Sequence, residues 1–212
     1  MCGIQINKKQ SPNLIKHRGT QHFEGTVGEW FYNFSSLPLS SNQTGLTQPL
    51  DLKDAKLFFN GEIFNYKSFG NYRSDLHYLQ DVLSSGIESK RFIREYQKWD
   101  GFWAICIVTD KITMFTDPLG KKQLYYSNKG VCSEIKPLLS EDYLIMGEPK
   151  YGTLNTGFYG VHRCLPGRFY VYEYRNNLAY NINPKVKDYT QIKSQHTDRD
   201  WETSVNTVKS SI

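Results

Sequence analysis

The chain has 212 residues, of which 39% are hydrophobic and 15% aromatic, and a formal net charge of +5. That length and composition suit one folded domain, or at most two small ones, and exclude a disordered chain. Lys and Arg are spread along the sequence without a dense block, so the positive charge reads as solvated surface and not as a nucleic-acid interface. The cysteines at positions 2, 106, 132 and 164 have no CxxC spacing, which points to neither a metal site nor a disulfide framework. No apolar run approaches the roughly 20 residues of a membrane helix and no secretory leader is evident, so a cytoplasmic protein is expected.

In chain order, Gly3 to Ile6 reads as a short buried strand, Ser11 to Thr20 carries the polar cluster His17-Arg18-Gly19, and Gly28 to Phe34 reads as a second strand. Ser35 to Leu50 is loop-like in composition. Leu57-Phe58-Phe59 is an apolar strand that ends abruptly at Asn60-Gly61-Glu62, where an Asn-Gly turn is expected. Ser74 is placed to cap a helix with Leu76, Leu79 and Leu83 on one face, closed near Gly86. A second helix starts at about Glu88, presents Phe92, Ile93 and Tyr96, and is broken by Trp99-Asp100-Gly101. A hairpin follows, from Ala104–Thr109 through Asp110-Lys111 to Ile112–Thr116. Next come a turn at Asp117-Pro118-Leu119-Gly120, a strand over Gln123–Ser127 and a short helix over Ser133–Leu139. Residues 140 to 160 have no single reading. A last hairpin is expected to join Arg168–Tyr174 to Leu178–Tyr180. Strands in hairpin order with an inserted helical pair predict an α+β fold of mostly antiparallel sheets with helices outside them.

Met1-Cys2 has a chemical meaning if the methionine is removed. Cys2 would then carry a thiol and a free α-amine, whose usual pKa of about 7.7–8.0 lets it act as the base for its own nucleophile.

Several separate stretches resemble one family in one order: Cys2-Gly3-Ile4, His17-Arg18-Gly19, Gln48-Pro49-Leu50, Phe59-Asn60-Gly61-Glu62-Ile63-Phe64-Asn65-Tyr66, Ser74-Asp75 and Asp100-Gly101-Phe102-Trp103-Ala104. Asp117-Pro118-Leu119-Gly120, Leu124-Tyr125-Tyr126, Ser133-Glu134-Ile135-Lys136 and Leu165-Pro166-Gly167 extend the series. Together they resemble the class II glutamine amidotransferase domain of asparagine synthetase, across residues 2 to 212.

The resemblance implies an N-terminal-nucleophile hydrolase fold, a four-layer αββα sandwich of two antiparallel sheets. It implies glutamine as substrate, hydrolysed at its side-chain amide to glutamate and ammonia, with no cofactor and no metal. Cys2 would be the nucleophile, with Asn60 and Gly61 as oxyanion donors. Asp75 would pair with the substrate ammonium, Glu62 would contact the substrate, and His17-Arg18-Gly19 would brace the pocket. Asn60-Gly61 also reads as an ordinary turn, and Asp75 as a first-turn residue complementing its helix dipole.

One departure concerns the substrate carboxylate. Where the family carries an arginine before an apolar dipeptide, this chain has Ser35-Ser36-Leu37-Pro38-Leu39, leaving Leu37 and Leu39 as candidate lining. Arg73, directly before Ser74-Asp75, is the replacement expected from sequence. A weaker glutaminase, an amidohydrolase for another small primary amide, and a non-catalytic binding or regulatory module are the alternative readings.

The synthetase half's pyrophosphate loop has no counterpart, since Ser85-Gly86-Ile87-Glu88-Ser89 lacks the second glycine and lies between helices. The expected division is therefore an amidotransferase domain over 1–195 and a C-terminal helix over 196–212. Trp201, Val205, Val208 and Ile212 form an apolar stripe on that helix. The stripe is expected to dock on a separate synthetase-like protein, a missing synthetase domain or a second copy, with no nucleic-acid or membrane partner.

Overall fold

A computed structural model describes residues 2–37, 46–141, 143–148 and 154–173. Eleven strands are formed among these residues: β1 (Gly3–Asn7), β2 (Gln21–Val27), β3 (Trp30–Ser36), β4 (Leu50–Leu52), β5 (Ala55–Ile63), β6 (Gly101–Val108), β7 (Ile112–Thr116), β8 (Tyr125–Ser127), β9 (Gly130–Cys132), β10 (His162–Arg163) and β11 (Phe169–Tyr172). They assemble into two antiparallel sheets, of order β10-β8-β9-β1-β3-β2 and β11-β7-β6-β5-β4. The helices α1 (Asp75–Ser84) and α2 (Lys90–Tyr96) lie between β5 and β6 in sequence.

Period-2 alternation builds the layers. Ile4 and Ile6 of β1, Trp30 and Phe34 of β3, Phe58 of β5, Ala104, Cys106 and Val108 of β6, and Ile112 and Met114 of β7 fill the space between the sheets. The alternate residues of the second sheet, Leu57, Phe59, Ile63, Trp103, Ile105 and Phe115, meet Tyr78, Leu79, Val82, Leu83, Phe92 and Tyr96 from the helices. Over the outer face of the first sheet, Ile15, Tyr125, Cys132, Leu138 and Val161 close a smaller cluster beneath short turns. The result is the α+β sandwich of two antiparallel sheets that the sequence predicts.

Both helices start where their caps dictate. Ser74 Oγ accepts from the His77 N–H at 3.4 Å and Ser89 Oγ accepts from the Phe92 N–H at 3.1 Å, each satisfying an amide that a helix start otherwise leaves unpaired. Between them, the Arg91 guanidinium donates to Tyr72 Oη at 2.7 Å, to Asp81 Oδ2 at 2.8 Å and to Glu95 Oε1 at 3.2 Å. This one side chain ties the segment before α1 to both helices.

Four sequence expectations change. The strand expected from Gly28 begins at Trp30, because Gly28 (φ +56) and Glu29 form the two-residue turn of a β2–β3 hairpin. Ser35 and Ser36, read as loop, complete β3. The helix expected over Ser133–Leu139 shortens to a 3-10 turn at Lys136–Leu138, since Ser133 is spent on the backbone of β1. Most important for function, Asn60-Gly61-Glu62 is not a turn. β5 runs through it to Ile63, paired as Asn60↔Ala104, Gly61↔Trp103 and Glu62↔Phe102. A Cβ on Gly61 would stand 2.1 Å from the Phe102 carbonyl oxygen, so the glycine serves close approach of β6 and not reversal of the chain. The expected C-terminal helix and the second strand of the last hairpin lie outside the described residues.

Candidate active site

Cys2 precedes β1 by one residue, and the alternation that sends Ile4 and Ile6 between the sheets sends Cys2 the same way. It packs, half-buried, against that central cluster. The main chain around it is held by side chains from elsewhere. Ser133 Oγ accepts from the Ile4 N–H at 3.0 Å, while the Ser133 N–H donates to the Ile4 carbonyl at 2.8 Å. Arg18 Nε donates to the Cys2 carbonyl at 3.0 Å, and its Nη1 is anchored on Glu134 Oε1 at 2.9 Å. Of the segment His17-Arg18-Gly19, read from sequence as a brace of the pocket, Arg18 holds the Cys2 carbonyl and His17 Nε2 meets Glu134 Oε1 at 2.9 Å. Ser133 and Glu134 belong to a motif noted in the sequence, but no chemical requirement of the reaction singled them out.

β5 contributes from the opposite sheet. Asn60 shares the face of Phe58, toward the layer into which Cys2 points. It is 2% exposed, and its Nδ2 has no hydrogen-bond partner among the described residues. An unpaired buried amide donor costs about 1–3 kcal/mol, so its retention calls for a reason.

The next donor along is main-chain. Trp103 exchanges hydrogen bonds with Asp117, donating from its N–H to Oδ2 at 3.3 Å and accepting from the Asp117 N–H at 2.8 Å. Its opposite number Gly61 is therefore in a non-hydrogen-bonded pair, and the N–H groups of Phe59, Gly61 and Ile63 all point away from β6. β4 reaches along β5 only as far as Leu57. Side chains take two of the three amides: the Phe59 N–H donates to Gln48 Oε1 at 2.8 Å and the Ile63 N–H to Asp75 Oδ2 at 3.2 Å. The Gly61 N–H, between them, meets no acceptor from a neighbouring strand. Consecutive residues thus offer a side-chain donor and a main-chain donor that no acceptor among the described residues takes.

Asp75 occupies the first turn of α1, and its carboxylate is tied to the Ile63 amide. Burial pushes its pKa above the ordinary value of 3.8, the Ile63 and Leu76 amides pull it back, and the charge of Glu62 pushes it up again. Glu62 is exposed, Leu37 is half-buried and Leu39 lies outside the described residues. Arg73 is exposed and has no ion-pair partner among the described residues. The structure thus links Glu62 and Asp75 at the open side of β5, while Arg73 stands in solvent.

Sequence reading left Asp117 as a turn and gave Lys122 no role. The Asp117 carboxylate is 1% exposed and accepts from the N–H groups of Trp103, Leu119, Lys121 and Lys122, folding the 117–122 loop around itself. That loop delivers Lys122 to the site. Its Nζ lies 4.8 Å from the Phe102 ring centroid, directly across the ladder from Glu62. A cleft of about 340 Å³ is lined by Arg18, Lys122, Tyr125, Ser133 and Glu134. The recognisable signal for this arrangement was an Asp-Pro turn followed by two lysines, which is too common a pattern to single out.

Among the described residues no cluster of His, Cys, Asp and Glu could hold a metal ion, and no helix is long and apolar enough to cross a membrane. The three other thiols, Cys106, Cys132 and Cys164, are buried, and burial pushes all three upward in pKa, Cys132 to about 12.

Among solved structures, the chain is similar to the glutamine phosphoribosylpyrophosphate amidotransferase from B. subtilis, complexed with ADP and GMP. The similarity is at 15% identity with a TM-score of 0.44, over 68% of this chain and 33% of that one. The chain thus spans about a third of that enzyme's length. No curated protein matches the chain. Residues 39–140 match the family model of a glutamine amidotransferase domain. The stretch that carries Asn60, Gly61, Glu62 and Asp75 is therefore similar to a glutamine amidotransferase domain.

Proposed function

We propose that the protein hydrolyses the side-chain amide of glutamine, with Cys2 as an N-terminal nucleophile after removal of Met1. The observation that carries this reading is the pair of donors on consecutive residues of β5, Asn60 Nδ2 and the Gly61 N–H, which have no acceptor among the described residues, with Asn60 on the face of β5 that borders the cluster where Cys2 packs. The similarity of residues 39–140 to glutamine amidotransferase domains supports it.

The thiol proton passes to the α-amine of Cys2, and the sulfur forms a bond to the amide carbon. The oxygen takes the electron pair of the carbonyl π bond, and Asn60 and Gly61 receive the resulting oxyanion; one such donor is typically worth about 2.7–4 kcal/mol. On collapse the carbon–nitrogen bond breaks, the α-ammonium returns its proton to the leaving nitrogen, and ammonia departs. Water, deprotonated by the same amine, then cleaves the thioester to glutamate. Arg18 fixes the Cys2 carbonyl and so the orientation of both reacting groups of that residue. Asp75 receives the substrate ammonium, with Glu62 beside it. The ammonia is passed to an amidating, synthetase-like partner, in the manner of asparagine synthetase.

The exposure of Arg73, together with serines where the family places its arginine, favours a second reading in which the substrate is another small primary amide. One experiment separates the readings: intact mass together with ammonia release from L-glutamine and from short primary amides, for the wild type and for Cys2→Ala. A mass lacking methionine, glutamate formed from glutamine, and no release by the variant are the expected results. Retained methionine, or unchanged turnover by Cys2→Ala, overturns the mechanism.

A further inference from the structure

Glutamine brings an α-carboxylate that the donors on β5 and the carboxylate of Asp75 cannot accommodate. A cation facing the Cys2 layer is required, and it must not already be neutralised. Arg18 lies against the Gly3 face of β1 and is committed to the Cys2 carbonyl and to Glu134. Lys122 is different. Its backbone is fixed by the Asp117 carboxylate, with the Lys122 N–H donating to Oδ2 at 3.0 Å. Its ammonium is half-buried over the Phe102 ring at 4.8 Å, and no carboxylate lies within ion-pair distance of it among the described residues. It lines the cleft of about 340 Å³ together with Arg18.

We propose that Lys122 is the residue that binds the α-carboxylate of the substrate, in place of an arginine on β3. This rests on the glutaminase reading above. Across β5 and β6 the substrate then spans two opposite charges of the protein, with its ammonium at Asp75 and its carboxylate at Lys122. The Lys122 side chain is already partly desolvated: burial lowers its pKa and the neighbouring Arg18 charge lowers it further, against smaller opposing effects of Cys2 and Asp117. A bound carboxylate relieves both effects, because an uncompensated cation gains most from the first anion that reaches it.

The test uses L-glutamine, L-glutamine methyl ester, in which the carboxylate charge is removed, and L-glutamate as a product that binds without turnover. In Lys122→Met, KM for glutamine should rise roughly 10- to 100-fold, the range for losing a hydrogen bond to a charged group, with kcat changed far less. The preference for glutamine over its methyl ester should fall by the same factor. L-Glutamate should raise the melting temperature of the wild type and not of Lys122→Met, and Lys122→Arg should restore most of the preference. Circular dichroism shows whether the variants fold. If the wild type hydrolyses glutamine but Lys122→Met loses ester and glutamine turnover equally, Lys122 acts on the thiol and the assignment is overturned. If Arg73→Ala instead produces the rise in KM, the assignment is overturned in favour of that arginine. A wild type that binds neither glutamate nor glutamine and releases no ammonia overturns the glutaminase reading itself.

Discussion

Replacing Asn60 by alanine should separate function from stability in one variant. Truncating a buried side chain ordinarily leaves unpaired partners or a cavity and lowers stability by a few kcal/mol. At Asn60 the balance differs. The side chain is 2% exposed and its Nδ2 is unpaired among the described residues, so truncation removes a desolvation cost of about 1–3 kcal/mol. The lost packing of a small amide works in the opposite direction with similar size. The expected net change is within about 1 kcal/mol of wild type, equivalent to no more than about 4 °C in Tm for a chain of this length. Catalysis has no such compensation, and kcat should fall about 10²- to 10³-fold.

Asn33 provides the internal comparison. It too is buried, at 7%, but its Nδ2 donates to the Ser11 carbonyl at 3.2 Å. Asn33→Ala should therefore cost about 1–2 kcal/mol, because it leaves an acceptor unpaired, while kcat holds. Urea unfolding and ammonia release on the three proteins give both numbers. A loss of 2 kcal/mol or more in Asn60→Ala together with less than a tenfold fall in kcat would refute the reasoning, since the amide would then be serving the fold.

Asp117→Ala removes the acceptor of four main-chain N–H groups, of which that of Trp103 is the most deeply buried; a loss of about 2–4 kcal/mol is expected, read as a lower urea midpoint. Acid should affect binding and folding oppositely at Asp75. Its pKa is raised above 3.8, so protonation as pH falls through the folded value weakens the grip on the substrate ammonium and KM rises. Over the same window the folded state binds more protons than the unfolded state, so this residue's contribution to stability grows as pH falls. Asp75→Asn should remove both slopes, as measured by KM and by thermal unfolding across pH. Iodoacetamide should modify one thiol per native chain, at Cys2, and four after denaturation, because Cys106, Cys132 and Cys164 are buried and held as thiols by burial. Peptide mass mapping checks the assignment.

Legibility in the sequence followed the range of the forces involved. The helix cap at Ser74 and the β6–β7 hairpin are local features, and the structure has α1 capped at Ser74 with Leu79 and Leu83 buried and both strands of that hairpin. The β2–β3 hairpin was half hidden because β2 is an edge strand whose side chains are largely exposed, so its alternation is weak. Asn60-Gly61 misled for a specific reason. The dipeptide has strong turn preference, but the register with Trp103 and the contact with the Phe102 carbonyl are set by residues more than 40 positions away. At the site, chemistry pointed to Cys2, and the family resemblance supplied Asn60 and Asp75. The contacts of Ser133 and Asp117 with the main chain, the Arg18–Glu134 pair and the placing of Lys122 over Phe102 join residues that the sequence keeps apart, so only the folded sheet order reveals them.

The upper half of β5 is also an edge, and an unprotected edge recruits other strands. Here the protection comes from two side chains instead of a neighbouring strand. Gln48 and Asp75 occupy the Phe59 and Ile63 amides and leave a gap one residue wide at Gly61. A second polypeptide needs a row of donors in register to add to a sheet, and it would find a single rung. One isolated carbonyl oxygen needs no more than that rung. Among the described residues, these two hooks therefore leave one rung on the open edge, which fits a guest that is small and brings one acceptor, as the proposed substrate carbonyl does.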